Sequence, residues 1–439
     1  MNKSLRLKNI LPLLIIILIS SGAKARTLSF TGPKDFARLI EGLSSSELAK
    51  VKAGFSLFAK PWVAAPSSTR VRDGLGPHFN ATSCMSCHSR MGRGNPLRSD
   101  GSLDHSILFR VSTGNTSERG PVPDAIYGLQ LQGKSLIQIE REAEVSVHYT
   151  SISGTYPDGT TYSLRKPSFN FSKLNYGPFD SLIHISPRTS PILAGLGFID
   201  AISKEDILSQ VDEFDLDRDG ISGRANYSWS ASKNKLMVGR FGHKANVPTL
   251  LDQIAGALQG DMGITSSLAP LENCGELQLE CHSILNGGEP EISDDHIGFI
   301  HLLLKSIAPP KVEVVKSEDF GRKIFSKIGC VKCHTANYAV RGREVSPYSD
   351  FLLHDMGEEL ADNREDFKAT GREWKTAPLW GLGSLKKVNG HTNLLHDGRA
   401  RNVEEAILWH GGEASKTREK FKALSKKERS SLLKFLNQI

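Results

Sequence analysis

Two short segments of the chain repeat one arrangement of reactive side chains: two cysteines separated by two residues and followed at once by a histidine. They are Cys84-Met85-Ser86-Cys87-His88 and Cys330-Val331-Lys332-Cys333-His334. Two thiols at this spacing lie along one turn of chain and can add to the two vinyl groups of one porphyrin, and the next residue can coordinate the iron. The pattern therefore predicts two covalently attached c-type haems, with His88 and His334 as axial iron ligands.

The same cysteines have two other interpretations. Four thiolates could hold a zinc ion, and a cysteine pair at this spacing can act as a redox-active dithiol. Neither chemistry requires the histidine that ends both segments. Two complete copies of the longer pattern therefore favour haem over both alternatives.

The N-terminal segment has the pattern of a cleaved secretion signal. Three basic residues precede an apolar run from Ile10 to Ile19, and Ala23-Lys24-Ala25 offers the small-x-small pattern of a signal peptidase site. The apolar run is about half as long as the roughly 20 residues that cross a bilayer. We therefore predict a signal peptide at 1–25 and a mature periplasmic protein without a membrane span.

The net charge argues against one class of partner. The formal charge of the whole chain is +7, and four of its basic residues belong to the predicted signal peptide. The weakly basic mature chain does not have the charge pattern of a nucleic-acid-binding protein. We therefore expect no nucleic-acid partner.

The remaining two cysteines are Cys274 and Cys281, and His282 follows them. The six residues 275–280 between them are too many for ordinary haem attachment. In an oxidising compartment such a pair commonly forms a disulfide. We predict a local disulfide, and the alternative is a third haem attached through an unusual spacing.

Hydrophobic periodicity predicts the elements around these motifs. Apolar residues recur at helical spacing in Asp35–Trp62, which predicts two short helices, and again in Phe320–Ile328, just before the second motif. The pattern alternates with period two from Ile139 to Arg165. A turn signal at Pro157-Asp158-Gly159 divides that stretch, so we predict a β-hairpin there.

The prolines at Pro309-Pro310 and the charged stretch 311–319 are the best candidate for a linker. This boundary predicts an N-terminal haem domain at 26–310, enlarged by loops and the hairpin, and a C-terminal haem domain at 311–439. We expect a mainly α fold in which both domains are cytochrome c-like.

A histidine near the C-terminus is placed to face the second haem. Asn402 can cap a helix on which Val403, Ala406, Ile407 and His410 share one face. An isolated histidine on an apolar face is more often a core residue. Because a haem is predicted in the same domain, we interpret His410 as the second axial ligand of that iron.

Three aspartates have the opening spacing of a calcium-binding loop: Asp215, Asp217 and Asp219, followed by glycine. Asn226 occupies the twelfth position, where such loops carry a bidentate acidic ligand. A solvated acidic turn is therefore the preferred interpretation, and calcium is the alternative.

A series of further segments accompanies the haem motifs. They are Asp73-Gly74-Leu75-Gly76-Pro77, Phe79-Asn80, Ser186-Pro187-Arg188, Gly195-Leu196-Gly197, Gly239-Arg240-Phe241-Gly242, Leu352-Leu353-His354-Asp355-Met356-Gly357, Pro378-Leu379-Trp380-Gly381 and Leu395-His396-Asp397-Gly398-Arg399. In this order they resemble the bacterial di-haem oxidoreductases, a peroxidase-type family also labelled thiol-oxidoreductase-like and distantly similar to di-haem cytochrome c peroxidases. The resemblance spans nearly the whole mature chain.

The resemblance implies different roles for the two haems. His410 matches the position where related peroxidases place Met or Tyr on the C-terminal iron, so that haem would transfer electrons. The haem on His88 would then be the reactive centre. The resemblance also implies a calcium ion between the domains, contacted by the backbone around Thr376 and Pro378.

One position departs from the family. After Gly239-Arg240-Phe241-Gly242 the family usually carries Trp, whereas this chain has His243. The departure leaves open whether an aromatic side chain bridges the haems here. It also makes His243 a candidate distal ligand of the first iron. Other candidate ligands are His78, His105 and His184.

These patterns favour one function and leave two alternatives. The leading hypothesis is a periplasmic oxidoreductase of peroxidase type: a small cytochrome or cupredoxin reduces the C-terminal haem, and peroxide is reduced at the N-terminal haem. Such chemistry needs a proton donor, for which the weak candidates are Gln130, Glu140 and Glu142. The alternatives are a non-enzymatic electron-transfer cytochrome with two six-coordinate irons, and the oxidative modification of a partner protein.

Overall fold

A computed structural model describes residues 26–29, 32–114, 116–311 and 319–439. The predicted signal peptide at 1–25 and most of the predicted linker at 311–319 lie outside the described residues. Within the described ranges, no helix is both long and apolar enough to span a bilayer.

Helices account for 28% of the chain and strands for 21%. The helices of the described residues are α1 (Ser45–Ala59), α2 (Cys84–Cys87), α3 (Leu196–Ile199), α4 (Lys204–Leu208), α5 (Leu250–Met262), α6 (Leu279–His282), α7 (Asp294–Ser306), α8 (Phe320–Ile328), α9 (Leu385–Asn389), α10 (Val403–Leu408), α11 (Ser415–Ala423) and α12 (Lys426–Leu436). Most are short, so long connecting segments carry much of the chain.

The strands form small antiparallel sheets. They are β1 (His78–Phe79), β2 (Ile107–Ser112), β3 (Thr116–Ser117), β4 (Gly120–Pro121), β5 (Gln130–Leu131), β6 (Lys134–Ser135), β7 (Glu144–Thr155), β8 (Thr161–Ser172), β9 (His184–Thr189), β10 (Tyr227–Ser230), β11 (Lys235–Val238), β12 (Tyr338–Val340), β13 (Arg343–Val345), β14 (Leu353–Asp355) and β15 (Glu373–Lys375). Among the described residues only β5-β2-β9 has three strands, and the other sheets are pairs.

The prediction of a mainly α, cytochrome c-like fold is wrong, because strand content approaches helix content. Many of the strands are two to four residues long. Others, such as β2 and β9, pair residues that lie far apart in sequence. Strands of two to four residues are too short to show a hydrophobic period, and no local pattern reveals pairing between distant segments. Sequence patterns therefore could not reveal these sheets.

Helix α1 packs along α7 in the N-terminal half. Ser44 and Glu47 cap α1 reciprocally, in a capping box. A Cβ atom at Gly54 would lie only 2.1 Å from the carbonyl oxygen of Phe299, so only glycine allows the two helices to approach this closely. The expected second helix in Asp35–Trp62 is absent, because residues 35–43 form turns and isolated bridges.

The predicted β-hairpin is confirmed, and its second strand is longer than expected. β7 and β8 pair in register from Glu144 with Ser172 to Thr155 with Thr161. At the turn, the guanidinium of Arg429 lies 3.8 Å from the ring centre of Tyr156. The hairpin therefore extends onto the C-terminal helices.

The largest hydrophobic core contains residues from both sides of the predicted domain boundary. It includes Phe36, Leu258 and Leu303 from the first part of the chain and Phe351 and Trp380 from the second. A second core gathers the C-terminal helices. The boundary between residues 310 and 311 itself stays a prediction.

Candidate haem centres

The N-terminal motif lies on α2. Ser83 precedes the helix, and its side chain accepts a hydrogen bond from the backbone N–H of Ser86. His88 follows the helix, and its Nδ1–H donates to the carbonyl oxygen of Pro191 at 2.8 Å. Burial lowers the pKa of His88 to about 4. The ring is therefore neutral, and Nε2 is the nitrogen left to bind a metal.

The C-terminal motif follows α8, which ends at Gly329 with a φ of 105°. A short 3-10 turn, Cys330–Lys332, then carries the first thiol. The Nδ1–H of His334 donates to the carbonyl oxygen of Tyr348 at 2.8 Å, and burial lowers the pKa of His334 to about 4. Both motif histidines are thus oriented by a backbone carbonyl.

His410 lines the same cavity as His334 and lies within electrostatic range of it. Asn402 caps α10, with its side chain accepting from the N–H of Glu405. The Nδ1–H of His410 donates to the carbonyl oxygen of Ala406 at 2.7 Å, which leaves Nε2 for a ligand. Burial lowers the pKa of His410, and its charge would in turn lower the pKa of His334. Ligation by His410 itself remains a prediction.

One cavity of about 1190 Å³ connects the two motifs. Its lining includes Cys87 and His88 at one end, and Cys330, Cys333, His334 and His410 at the other. Its volume exceeds the roughly 300–1,000 Å³ of a usual pocket for one small ligand. The space and the neutral imidazoles fit two large metal-bearing groups.

The cavity wall also carries cations that suit the carboxylates of haem. Arg93, Arg110 and Lys375 line it, and among the described residues none of them forms an ion pair with a carboxylate. Burial lowers the pKa of Arg93 to about 10 and that of Lys375 to about 8. Cations removed from water need a counter-charge. The propionates of bound haem would add to the more distant carboxylates of Asp397, Asp261 and Asp350.

The two alternative interpretations of the motif cysteines do not fit the geometry. Among the described residues, the four thiols do not gather into a common metal-ligand cluster. Burial raises the pKa of Cys84 and of Cys330 to about 12. Redox-active dithiols need a lowered pKa instead. A cluster of Cys333, Asp350 and His354 could hold a metal, but only if Cys333 were not used for haem.

The N-terminal end of the cavity holds a polar group that the sequence did not predict. Asp261 lies partly buried in the last turn of α5, and it receives a 3.0 Å hydrogen bond from Nε2 of Gln130. The guanidinium of Arg110 lies within electrostatic range of it. Burial raises the pKa of Asp261, and its charge would raise the thiol pKa of Cys84 and Cys87.

The three predicted proton-donor candidates lie in different places. Gln130 is buried and lines the cavity. Glu140 is exposed, and only its backbone carbonyl is engaged, by His78 and Tyr176. Glu142 is buried outside the cavity lining, where it accepts from the N–H of Gln132 at 2.6 Å. Of the three, only Gln130 is brought to the candidate site.

The candidate distal histidines are also separated. The Nε2–H of His243 donates to the carbonyl oxygen of Thr189 at 2.9 Å, and His243 lines the middle of the cavity. His78 bonds to the carbonyl of Glu140, His105 lies beside Asp104, and His184 bonds to the carbonyl of Asn363. These last three histidines do not line the cavity.

An aromatic pair lies beside His243 in the middle of the cavity. The rings of Trp374 and His396 stack with centroids 3.9 Å apart and an interplanar angle of 9°. The ring of His243 meets Trp374 edge-on, at 6.5 Å. Sequence reasoning missed this pair, because Trp374 and His396 lie in separate segments whose contact no local pattern reveals.

The two calcium candidates differ in geometry. The oxygens of Asp212, Asp215 and Asp217 lie within 4.8 Å of one another. Asp219 instead pairs with Lys332, beside the second haem motif. At the other candidate, the carbonyl oxygen of Thr376 accepts from Oγ of Ser349 at 2.6 Å. Pro378 lines the cavity.

Cys274 and Cys281 form a disulfide, with their Cα atoms 5.9 Å apart. The disulfide agrees with the prediction from sequence. It also excludes the alternative of a third haem attached through these two thiols, because both sulfurs are already bonded.

The cavity and its paired histidine motifs define a protein built to hold two metal-bearing groups. The chain matches the family described as "Di-haem oxidoreductase, putative peroxidase" over residues 19–439. The match covers nearly the whole chain, so the protein belongs to that family. The family accounts for the presence of two motifs, one for each haem.

No curated protein matches the chain. Among solved structures, it is similar to hydrazine synthase of Kuenenia stuttgartiensis pressurised with xenon, with 13% identity, a TM-score of 0.33, and 100% of both chains covered. A similarity at this TM-score carries no argument about the fold or the function.

Proposed function

We propose that the protein is a periplasmic di-haem c-type cytochrome of peroxidase type. In this account the thiols of each motif attach one haem, and His88 and His334 bind the irons. Electrons enter at the C-terminal centre from a small soluble redox protein, and peroxide is reduced at the N-terminal centre. The cleaved signal predicted at 1–25 supports export.

The difference between the two ends of the cavity carries the proposal. At the C-terminal end, burial lowers the pKa of both His334 and His410, which lie within electrostatic range of each other. Two imidazole ligands would leave no position for a substrate. At the N-terminal end the cavity presents Gln130, Arg110 and Asp261 instead. A carboxylic acid, an amide and a guanidinium suit a centre that binds and protonates a small oxidant.

When bound, a haem with an exchangeable sixth position supplies the site at which a peroxide oxygen is held and reduced. Reduction of one peroxide to two waters consumes two electrons and two protons. Asp261 is the proposed carrier of one of those protons, and burial, which raises the pKa of its carboxyl, favours the protonated form. The amide of Gln130 donates to Oδ1 of Asp261, which leaves the second carboxyl oxygen free to exchange a proton.

A chain of hydrogen bonds supports electron transfer between the centres. It begins where His88 donates to the carbonyl of Pro191. Two residues earlier, at the end of β9, the carbonyl of Thr189 accepts from His243. The carbonyl of His243 accepts in turn from the N–H of Lys375 at 2.9 Å.

The second half of this series of hydrogen bonds leads to the C-terminal motif. The residue after Lys375 is Thr376, whose carbonyl accepts from Oγ of Ser349. The residue before Ser349 is Tyr348, whose carbonyl accepts from His334. Five hydrogen bonds and short stretches of backbone thus join the two proximal histidines, and contiguous networks of this kind can carry coupling.

Calcium is a secondary part of the proposal. Asp215 and Asp217 come together with Asp212, and hard oxygen ligands of this kind suit calcium. Mass spectrometry under native conditions, with and without a chelator, would count bound calcium. A calcium-free protein of unchanged haem content would remove calcium from the account.

Replacement of Asp261 by Asn tests the proposed reactive end. The amide has nearly the same shape but cannot transfer a proton, so peroxide turnover should fall by about 10²-fold or more, within the range of general acid–base catalysis. Glu142→Gln is the matched control, because Glu142 is also a buried carboxyl but lies outside the cavity lining. Turnover is measured with a small-molecule reductant.

Two results would contradict this assignment. Equal turnover in Asp261→Asn and in the unmodified protein would remove Asp261 from the reaction. Loss of turnover in both Asp261→Asn and Glu142→Gln would show a general structural effect. If the unmodified protein itself leaves peroxide unreduced, the proposed activity fails and the electron-transfer alternative takes its place.

A further inference from the structure

One surface segment, residues 271–285, lies at the N-terminal end of the cavity and is called the strap here. Its first half lines the cavity, and the disulfide between Cys274 and Cys281 closes it. Nε2 of Gln259 donates to the carbonyl of Leu271 at 2.6 Å. The N–H of Leu277 donates to the carbonyl of Ala125 at 3.2 Å. The strap is therefore held against both α5 and the loop before β5.

The strap carries four large apolar side chains that face solvent. They are Leu271, Leu277, Leu279 and Leu285, which are 73%, 66%, 77% and 73% exposed. Single exposed leucines are ordinary, but a group on one short, cross-linked segment is characteristic of an interaction site. Leu129 is also exposed and lines the cavity, so the apolar surface continues to the cavity opening.

The strap lies in a stretch of sequence whose charged side chains all have the same sign. Residues 245–304 contain nine acidic residues and no lysine or arginine, although the whole chain carries a net charge of +7. The exposed acidic side chains of this stretch are Glu276, Glu280, Glu289, Asp294 and Asp295. The leucines thus lie in a stretch of chain whose lysine, arginine, aspartate and glutamate residues are all acidic.

The helices next to the C-terminal end of the cavity have the opposite charge. Helices α11 and α12 expose Lys416, Lys420, Lys426, Lys427 and Lys434, and Thr417 and Arg418 beside them line the cavity. Charges of opposite sign at the two ends would direct a charged partner to one end.

We propose that the strap is a docking surface for a basic protein, which presents its surface to the N-terminal end of the cavity. A partner with an apolar centre ringed by lysines would bury the leucines and pair with the acidic rim. Peroxide is too small to need such a surface, so the occupant is a macromolecule. The proposal rests on the proposed function only in treating this end as the reactive one.

The test measures binding of a lysine-rich c-type cytochrome to the haem-loaded protein, by isothermal titration calorimetry. An acidic cytochrome of similar size serves as the second probe. The basic probe should bind at low ionic strength and weaken as salt is added, because the Debye length shrinks from about 30 Å at 0.01 M to about 8 Å at 0.15 M. The acidic probe should not compete with the basic probe, because the lysines of α11 and α12 would direct it to the other end of the cavity.

Two strap variants separate the contributions of charge and apolar surface. Glu276→Lys with Glu280→Lys should weaken binding of the basic probe by about tenfold or more, and Leu277→Ser with Leu279→Ser should weaken it without changing its salt dependence. Leu182→Ser is the control, because Leu182 is 63% exposed but lies outside the strap. Haem content and circular dichroism confirm that each variant is folded.

Several outcomes would overturn the proposal. They are failure of the basic probe to bind at low salt, equal binding by all variants, and self-association of the protein that the strap variants abolish. The last would assign the strap to a second copy.

Peroxide turnover with a small-molecule reductant is measured on the same samples. Turnover without probe binding refutes only the docking surface, and probe binding without turnover refutes only the proposed function.

Discussion

The two ends of the cavity start from the same motif and differ in what faces it. Both motif histidines are neutral, buried and oriented by a backbone carbonyl. At the C-terminal end a third imidazole, that of His410, lies near His334. At the N-terminal end the cavity wall carries Asp261 and Gln130 instead. In the proposed function the motif provides the attachment of the haem, whereas the opposite wall determines what each haem can do.

The largest expected effect comes from removing one pair of thiols. Cys84→Ser with Cys87→Ser should lower the haem content from two to one per chain and abolish peroxide turnover. The same change at Cys330 and Cys333 should also remove one haem but should abolish electron entry from a protein donor. The intact mass and the pyridine haemochrome spectrum measure the loss. Retention of both haems would contradict covalent attachment.

The next effect concerns His410. His410→Ala should convert the C-terminal centre from low spin to high spin without loss of haem, because the second imidazole is removed. His410→Met should keep the centre low spin and raise its reduction potential by on the order of 0.1–0.2 V, a fraction of the roughly 0.8 V that axial ligands span. Optical redox titration measures both. An unchanged spectrum in His410→Ala would contradict the ligand assignment.

A smaller effect is expected at His243, which lies between the two ends. His243→Phe keeps a ring but removes the donor to Thr189, so electron transfer between the centres should slow by about tenfold, or about 1.4 kcal/mol in activation free energy. His243→Gln retains a donor and should restore the rate. His78→Phe is the control, since His78 is also a histidine bonded to a backbone carbonyl but does not line the cavity. Flash photolysis of the half-reduced protein measures the rate, and equal rates in all variants would contradict the path.

The smallest effect is on stability. Burial raises the pKa of Glu142 to about 8, from 4.5, so the folded protein holds this proton more tightly than the unfolded chain does. The resulting stability is present below about pH 4.5 and is lost as the pH rises to about 8, a change on the order of a few kcal/mol. Glu142→Gln should flatten this slope in chemical denaturation. An unchanged slope would assign the pH dependence to other groups.

The sequence predicted the local parts of this comparison well. The helix at Phe320–Ile328, the cap at Asn402 and the hairpin all depend on short patterns, and the structure contains these elements as expected. Short motifs carry their own geometry, so they can be recognised without knowledge of the rest of the fold.

The sequence did not predict the contacts that distinguish the two ends. Asp261 follows a helical pattern and resembles a surface residue, and it meets Gln130 only through folding. One signal could have identified it: an acidic residue in the last turn of a helix opposes the helix dipole. The pairing of β2 with β9, which carries the chain toward Thr189 and Pro191, is likewise non-local.

The most direct test of the difference between the two ends is a low-temperature EPR spectrum of the oxidised haem-loaded protein, recorded before and after addition of peroxide. A parallel sample is first reduced by one electron, so that only the C-terminal iron is reduced. We expect one low-spin signal from the C-terminal centre, and one high-spin signal that peroxide consumes in at least one sample. Two low-spin signals in the oxidised sample and one low-spin signal in the half-reduced sample, all left unchanged by peroxide, would contradict a reactive N-terminal centre.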